Sequence, residues 1–169
     1  MLFLRRMAEA ESSALCAWVI PQNQRQFVDP IGEVLRDFGS QRAAYVAVER
    51  PSGDDTPREP NDDATSTPVA FFQIDPAPDE PPRPGYVAIR NFFVAPHAQG
   101  RGVGTNACRA AHALVRREYP TAKGICLTVN CRNRAAYRVY EKAGFVDTGE
   151  LYVGGRSGPQ HIMLVTFDR

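Results

Sequence analysis

The chain predicts an α/β (α+β) fold of about seven strands, in the order β-α-α-β-β-β-α-β-α-β-β. Three observations lead there. Three strand-like runs, Ala43–Val48, Pro68–Ile74 and Tyr86–Val94, follow one another with no helix between them. The third runs into a glycine-rich turn that opens a helix, Asn106–Glu118, free of glycine and proline. After it come one strand, one helix and a closing strand pair. A dinucleotide-binding domain would alternate strand and helix from its start, so the early strand run argues against one.

Each element has a local reason. Leu2-Phe3-Leu4-Arg5 reads as a short first strand. Met7 to Ile20 reads as a helix with Leu15, Trp18 and Val19 as its apolar stripe, closed by Pro21. Pro30 suits a helix start, and Ile31, Val34, Leu35 and Phe38 recur at helical spacing until Gly39. The segment from about 49 to 67 is dense in Pro, Asp, Ser and Thr and reads as a solvated loop. Asp75 to Gly85 carries five prolines and reads as a stiff, irregular connection. Ile125–Val129 reads as a strand. Asn133 suits an N-cap, with Ala136, Val139, Tyr140 and Ala143 on one helical face and Gly144 as a left-handed C-cap. Val146–Val153 and His161–Phe167 read as the last strand pair. Residues 1–169 are expected to form a single domain.

Composition narrows the function classes. With 169 residues, 43% hydrophobic and 23% charged, the chain is an ordinary soluble globular sequence. A net charge of +1 gives no bulk attraction for nucleic acid or an anionic membrane. Met1–Arg6 is not followed by an apolar secretory core, and no apolar run is long enough to span a membrane. Cys16, Cys108, Cys126 and Cys131 form no Cys-x-x-Cys pair, and His97, His112 and His161 show no ligand spacing with them. Reduced thiols, a cytoplasmic location and no metal site are expected.

The chemistry centres on Val94-Ala95-Pro96-His97-Ala98-Gln99-Gly100-Arg101-Gly102-Val103-Gly104-Thr105. The first turn of a helix carries N–H groups without intrahelical partners at its positive dipole end. Glycines let a phosphate approach that backbone, and Arg101 adds a charge. A Walker-type loop would need Lys-Ser or Lys-Thr after its last glycine, and Thr105-Asn106 stand there. A dinucleotide turn would need a different glycine spacing and a later acidic residue, where Val129-Asn130-Cys131 stand. A glycine turn serving only as a helix entry would leave the same local pattern. Similarly, Tyr140 taken alone reads as a core aromatic.

Gln99, Gly102 and Gly104 fill a Gln/Arg-x-x-Gly-x-Gly/Ala pattern, and Asn133, Ala136, Tyr140, Glu141, Lys142, Gly144 and Phe145 fill a second pattern some 30 residues on. Together they resemble the GNAT superfamily of N-acetyltransferases, strongly from about Tyr86 to Glu150. The resemblance implies a mixed, mostly antiparallel twisted sheet with helices on both faces, and acetyl-coenzyme A as co-substrate. It implies that Phe92, Phe93 and Val94 meet the pantetheine arm, and that Gly100, Arg101, Gly102, Val103, Gly104 and Thr105, with Gln99, hold the pyrophosphate. Asn133 would hydrogen-bond the arm or a water. Tyr140 would protonate the leaving thiolate after direct amine attack and a tetrahedral intermediate. The strands of Val94 and Val129 would splay to admit the amine.

The base departs from the pattern. Where family members often carry a glutamate, Arg90 and Thr128 stand here. Water, bulk pH, or a residue such as Glu33 or a histidine is left for the role, and Arg90 with Asn91 would also suit an acceptor bearing its own carboxylate. Gln24–Pro30, Arg90–Val94 and Thr148-Gly149-Glu150 resemble the bacterial spermidine/spermine acetyltransferase branch, although Gly158-Pro159-Gln160-His161 lacks that branch's acidic residues. A small-molecule amine is the expected acceptor. A protein N-terminus or lysine, and a non-catalytic acyl-coenzyme A sensor, are the alternatives. A homodimer is left open.

Overall fold

The computed structural model describes residues 2–36, 42–49, 66–81 and 83–168. Its strands are β1 (Leu2–Arg6), β2 (Ala43–Glu49), β3 (Pro68–Asp75), β4 (Tyr86–Val94), β5 (Gly124–Asn130), β6 (Val146–Tyr152) and β7 (Gln160–Thr166). They form one seven-stranded sheet in the order β1-β2-β3-β4-β5-β7-β6. Every neighbouring pair is antiparallel except β4 and β5, which are parallel. The fold is the mixed, mostly antiparallel one that the motifs imply.

The helices are α1 (Ser12–Cys16), α2 (Ile31–Arg36), α3 (Val103–Glu118) and α4 (Arg134–Lys142). Strand alternation sorts the core between two faces. Tyr45, Phe72, Ile74, Val87, Ile89, Ile125 and Leu127 cluster with Cys108, Ala111, Leu114 and Val115 of α3 and Tyr140 of α4. Their neighbours on the other face, Ala44, Val46, Val48, Phe71 and Phe93, cluster with Leu15, Ile31 and Val34 of α1 and α2. Helices therefore cover both faces.

The helix expected from Met7 to Ile20 is much shorter. A 3-10 turn, Glu9–Glu11, precedes α1, and α1 ends at Cys16. Arg5 donates to both carboxylate oxygens of Glu11 at 2.7 Å, and Glu11 also accepts from the Ala8 N–H. That anchor fixes the entry to α1. Of the expected apolar stripe, only Leu15 is buried, while Val19 is 70% exposed. Pro30 and Ile31 start α2 as expected. The expected stop at Phe38-Gly39, and most of the loop about 49–67, lie outside the described residues. Among the described residues, no helix is long and apolar enough to cross a membrane.

Candidate active site

The site is built on an incomplete seam in the sheet. β4 and β5 pair over only three rungs, Tyr86, Val87 and Ala88 with Gly124, Ile125 and Cys126. Beyond them β4 stays paired to β3 on one edge, and among the described residues no strand pairs its other edge. β4 carries one residue more than β3 between the Gln73–Arg90 and Phe71–Phe93 pairs. The extra residue is Asn91, whose φ of 50° lies in the left-handed region. Its Nδ2 donates to Oε1 of buried Gln73 at 2.8 Å. The bulge shifts the alternation by one. Val87 and Ile89 pack on the α3 face before it, and Phe92 and Val94 do so after it.

The opened seam is a cleft of about 1270 Å³. Phe92, Phe93, Val94, Gln99, Gly100, Gly102, Val103, Gly104, Thr105, Asn133 and Tyr140 all line it. Segments far apart in sequence thus meet in one place.

The glycine turn has the backbone of an anion cradle. Gly100 and Gly102 have φ of 74° and 80°, and Gly102 is the N-cap of α3. No side chain caps that end, and no acidic residue stands in the first turn. The N–H groups of the first turn are thus left to an outside acceptor, at the positive end of a 16-residue helix. Gly104 answers a different demand. A β-carbon there would stand 3.2 Å from Val139, 3.4 Å from Val94 and 3.6 Å from Phe92. Its absence lets α3 seat against α4 and the end of β4.

Two turn residues are engaged elsewhere. The Gln99 amide donates to the Val94 carbonyl at 3.1 Å and exchanges hydrogen bonds with Gln24. Arg101 does not line the cleft, and its guanidinium lies 3.1–3.2 Å from the Glu49 carboxylate. Other cations line the cleft, three of them on α4. Arg134, Arg138 and Lys142, four residues apart and so on one helical face, all line the cleft. The helical spacing was readable in the sequence, but nothing there showed which way that face turns.

Asn133 caps α4 by accepting the Ala136 N–H at 3.1 Å. Tyr140 is 7% exposed, with its ring edge-on to Phe92 and to Phe145. Its hydroxyl has no hydrogen-bond partner among the described residues. Burial holds the Tyr140 proton far more tightly than usual, and nearby Cys108 adds to this. Burial likewise pushes the Cys108 thiol up to about 12.

The opposite side of the cleft is closed by a strap. Arg156 pairs with Asp29, and the Ser157 hydroxyl donates to the Gln26 carbonyl. This ties the segment between α1 and α2 to the connection between β6 and β7. Arg90 is held at 2.8 Å by the buried carboxylate of Asp75, which Arg42 approaches at 3.4 Å. Neither β4 nor β5 contributes a carboxylate. Glu33 is exposed and away from the cleft, and none of the three histidines lines it. His161 pairs with Asp147 at 2.9 Å. His112 packs on Phe145 and Phe167, with its pKa lowered by burial and by Arg116 and Arg109. The acidic residues lining the cleft are Asp29 and Glu80. The sequence reading missed Glu80, because only the tertiary fold carries its proline-rich loop to the cleft.

The seven-stranded mixed sheet is open between its two parallel strands, and a glycine turn on a helix N-terminus stands at the opening. The acetyltransferase (GNAT) family model matches residues 15–145, and the chain belongs to that family. A probable spermine N(1)-acetyltransferase of Bacillus subtilis subsp. natto (strain BEST195) is 33% identical over 86 residues, 51% of this chain. The match spans 56% of that relative's length. Among solved structures, an aminoglycoside acetyltransferase in complex with coenzyme A and kanamycin aligns with a TM-score of 0.71 and 24% identity, over 98% of this chain and 95% of the other. A spermidine N-acetyltransferase from Vibrio cholerae, in complex with coenzyme A and spermine, aligns with a TM-score of 0.66 and 16% identity, over 98% and 95%. These two alignments speak to the fold.

Proposed function

We propose that this enzyme acetylates a primary amine of a small molecule, and that the cleft between β4 and β5 is its active site. One observation carries the reading. The free edge of β4, the uncapped N-terminus of α3 and Tyr140 all line the same cleft. The donor set fits an acyl-coenzyme A. N–H groups of Gly102–Thr105 suit the pyrophosphate, Phe92–Val94 present an unpaired strand edge to the amide-bearing arm, and Arg134, Arg138 and Lys142 supply cations beside the phosphates. When bound, the thioester supplies an activated acetyl group.

The residues then divide the work. The edge N–H groups of β4 are donors placed for the oxyanion that forms when the amine attacks the thioester carbonyl. Tyr140 holds a proton at Oη, ready for the departing thiolate. Burial keeps that proton on the oxygen at neutral pH. No carboxylate stands on either strand beside the reacting position, so the amine sheds its proton to water. The strap across the acceptor side narrows the entrance, which favours a small molecule over a protein tail.

Thiol release from acetyl-coenzyme A across a panel of small amines, peptides and buffer tests this. Turnover with small amines supports it. Turnover confined to peptides, or binding without turnover, overturns it.

A further inference from the structure

Resting on the reading of the β4 edge N–H groups as oxyanion donors, we infer that Gln73 is a positioning residue for the reaction. Its buried amide holds Asn91 in the left-handed conformation that makes the β4 bulge, and the bulge aims those donors into the cleft.

Gln73 stands apart on its strand. β3 is buried along its whole length, and Gln73 is 1% exposed beside Phe71, Phe72 and Ile74. A buried amide is costly unless it is paired. The partner is Asn91, whose Nδ2 donates to Gln73 Oε1 at 2.8 Å. Asn91 lines the cleft and Gln73 does not, so Gln73 reaches the site only through Asn91.

Asn91 needs that hold. It is the one non-glycine residue with a positive φ among the described residues. Asparagine tolerates this region better than most residues, yet the conformation persists only where its surroundings fix it. The preceding residue is gripped from the same strand, since Arg90 Nε donates to the buried Asp75 carboxylate at 2.8 Å. Gln73 and Asp75 are two residues apart and share one face of β3. They hold two successive residues of β4, whose side chains would point to opposite faces in a regular strand. The left-handed turn at Asn91 brings both to one face.

The bulge reaches the chemistry through register. Phe72 of β3 alone stands opposite Asn91 and Phe92 of β4. One extra residue reverses the alternation beyond it. It thereby decides which N–H groups of Phe92–Val94 face β3 and which face the gap. Donors for an oxyanion act by being in place before the reaction. A bulge free to relax would present them only part of the time.

The test uses the full chain, acetyl-coenzyme A and the most active acceptor of the small-amine panel. Gln73→Met fills the same space and removes the acceptor for Asn91. Its kcat is expected to fall about tenfold to a hundredfold, the cost of an ångström-scale misplacement of catalytic donors, while Kd for acetyl-coenzyme A changes far less. Adding Asn91→Gly to Gln73→Met is expected to restore most of the lost kcat, because glycine takes a φ of 50° without a side-chain anchor. A loss caused by methionine in the core would persist in that double variant. Should Gln73→Met not fold, the comparison moves to the cleft surface. Asn91→Ala and Asn91→Gly both lose the hydrogen bond, but only alanine resists the positive φ, so Asn91→Ala is expected to have the lower kcat. Wild-type kcat in a folded Gln73→Met, no recovery in the double variant, or equal kcat in Asn91→Ala and Asn91→Gly each overturns the inference. Absence of turnover with every amine in the wild type overturns the amine-acceptor reading itself, and this inference with it.

Discussion

The ring of Phe92 stands edge-on to the ring of Tyr140, 6.1 Å between centroids at 64°. Phe92 is on the free-edged part of β4 and Tyr140 is on α4, so this contact joins the two walls of the cleft. It needs the aromatic ring of Tyr140 but not its hydroxyl.

Tyr140→Phe should therefore preserve the packing and remove only the proton donor. The affinity for acetyl-coenzyme A, measured by calorimetry, is expected to stay close to wild type. Turnover is expected to drop by at least about tenfold, since a placed proton donor contributes about 10²–10⁴-fold. Wild-type turnover in this variant would assign Tyr140 to core packing alone.

Gly102→Asp tests the anion cradle. Nothing lies within 4 Å of the added β-carbon, so bulk is not the obstacle. The φ of 80° and the new negative charge beside the α3 N-terminus are. Acetyl-coenzyme A binding is expected to be lost while the circular dichroism spectrum is kept. Gly102→Asn, neutral and tolerant of left-handed backbone, is expected to bind. Equal binding by both variants would remove the cradle from the site.

The stripe on α4 is expected to act through charge. Arg138→Glu should weaken acetyl-coenzyme A binding about tenfold or more, and should flatten the dependence of Kd on salt. A Kd and salt slope matching the wild type would make Arg138 a solvated surface residue.

The pH profile follows from what lines the cleft. With no histidine there, no carboxylate on β4 or β5, Asp29 engaged by Arg156 and Glu80 by Tyr152, an alkyl amine with a pKa near 10 is expected to lose its proton to solvent. The value of kcat/KM is expected to climb about tenfold per unit from pH 6 to 9. Burial raises the Tyr140 pKa, so the hydroxyl remains protonated throughout and kcat should show no falling limb in that range. A plateau beginning near pH 6–7 would reveal a base within the site.

The strands were legible because alternation and turn residues are local. Tyr86–Val94 is recovered residue for residue, and Asn133 and Gly144 cap α4 as their chemistry dictates. The bulge at Asn91 left a trace in Phe92-Phe93-Val94, where the apolar run outlasts simple alternation, but the trace fits an all-buried strand equally well. The helix expected from Met7 starts later than periodicity suggests, because periodicity cannot register an ion pair such as Arg5–Glu11, which sets where the helix begins. Glu80 was hidden for a similar reason. Its partner Tyr152 is 72 residues away, and no local pattern joins them. The Arg101 contact with Glu49 was likewise out of sight, since a charge next to a glycine turn says nothing of a glutamate on β2.

The three-rung seam has a mechanical consequence. Strands β1–β4 and strands β5–β7 are two plates welded at one short joint and otherwise riveted together by α3 and α4. A ligand inserted in the gap acts as a wedge and a splice at once. It sets the angle between the plates, and it carries load across a line where the backbone does not. Those amides of Ile89–Val94 that face the gap rather than β3 then become the gauge of that splice: their exchange with solvent reports on how firmly the two plates are joined.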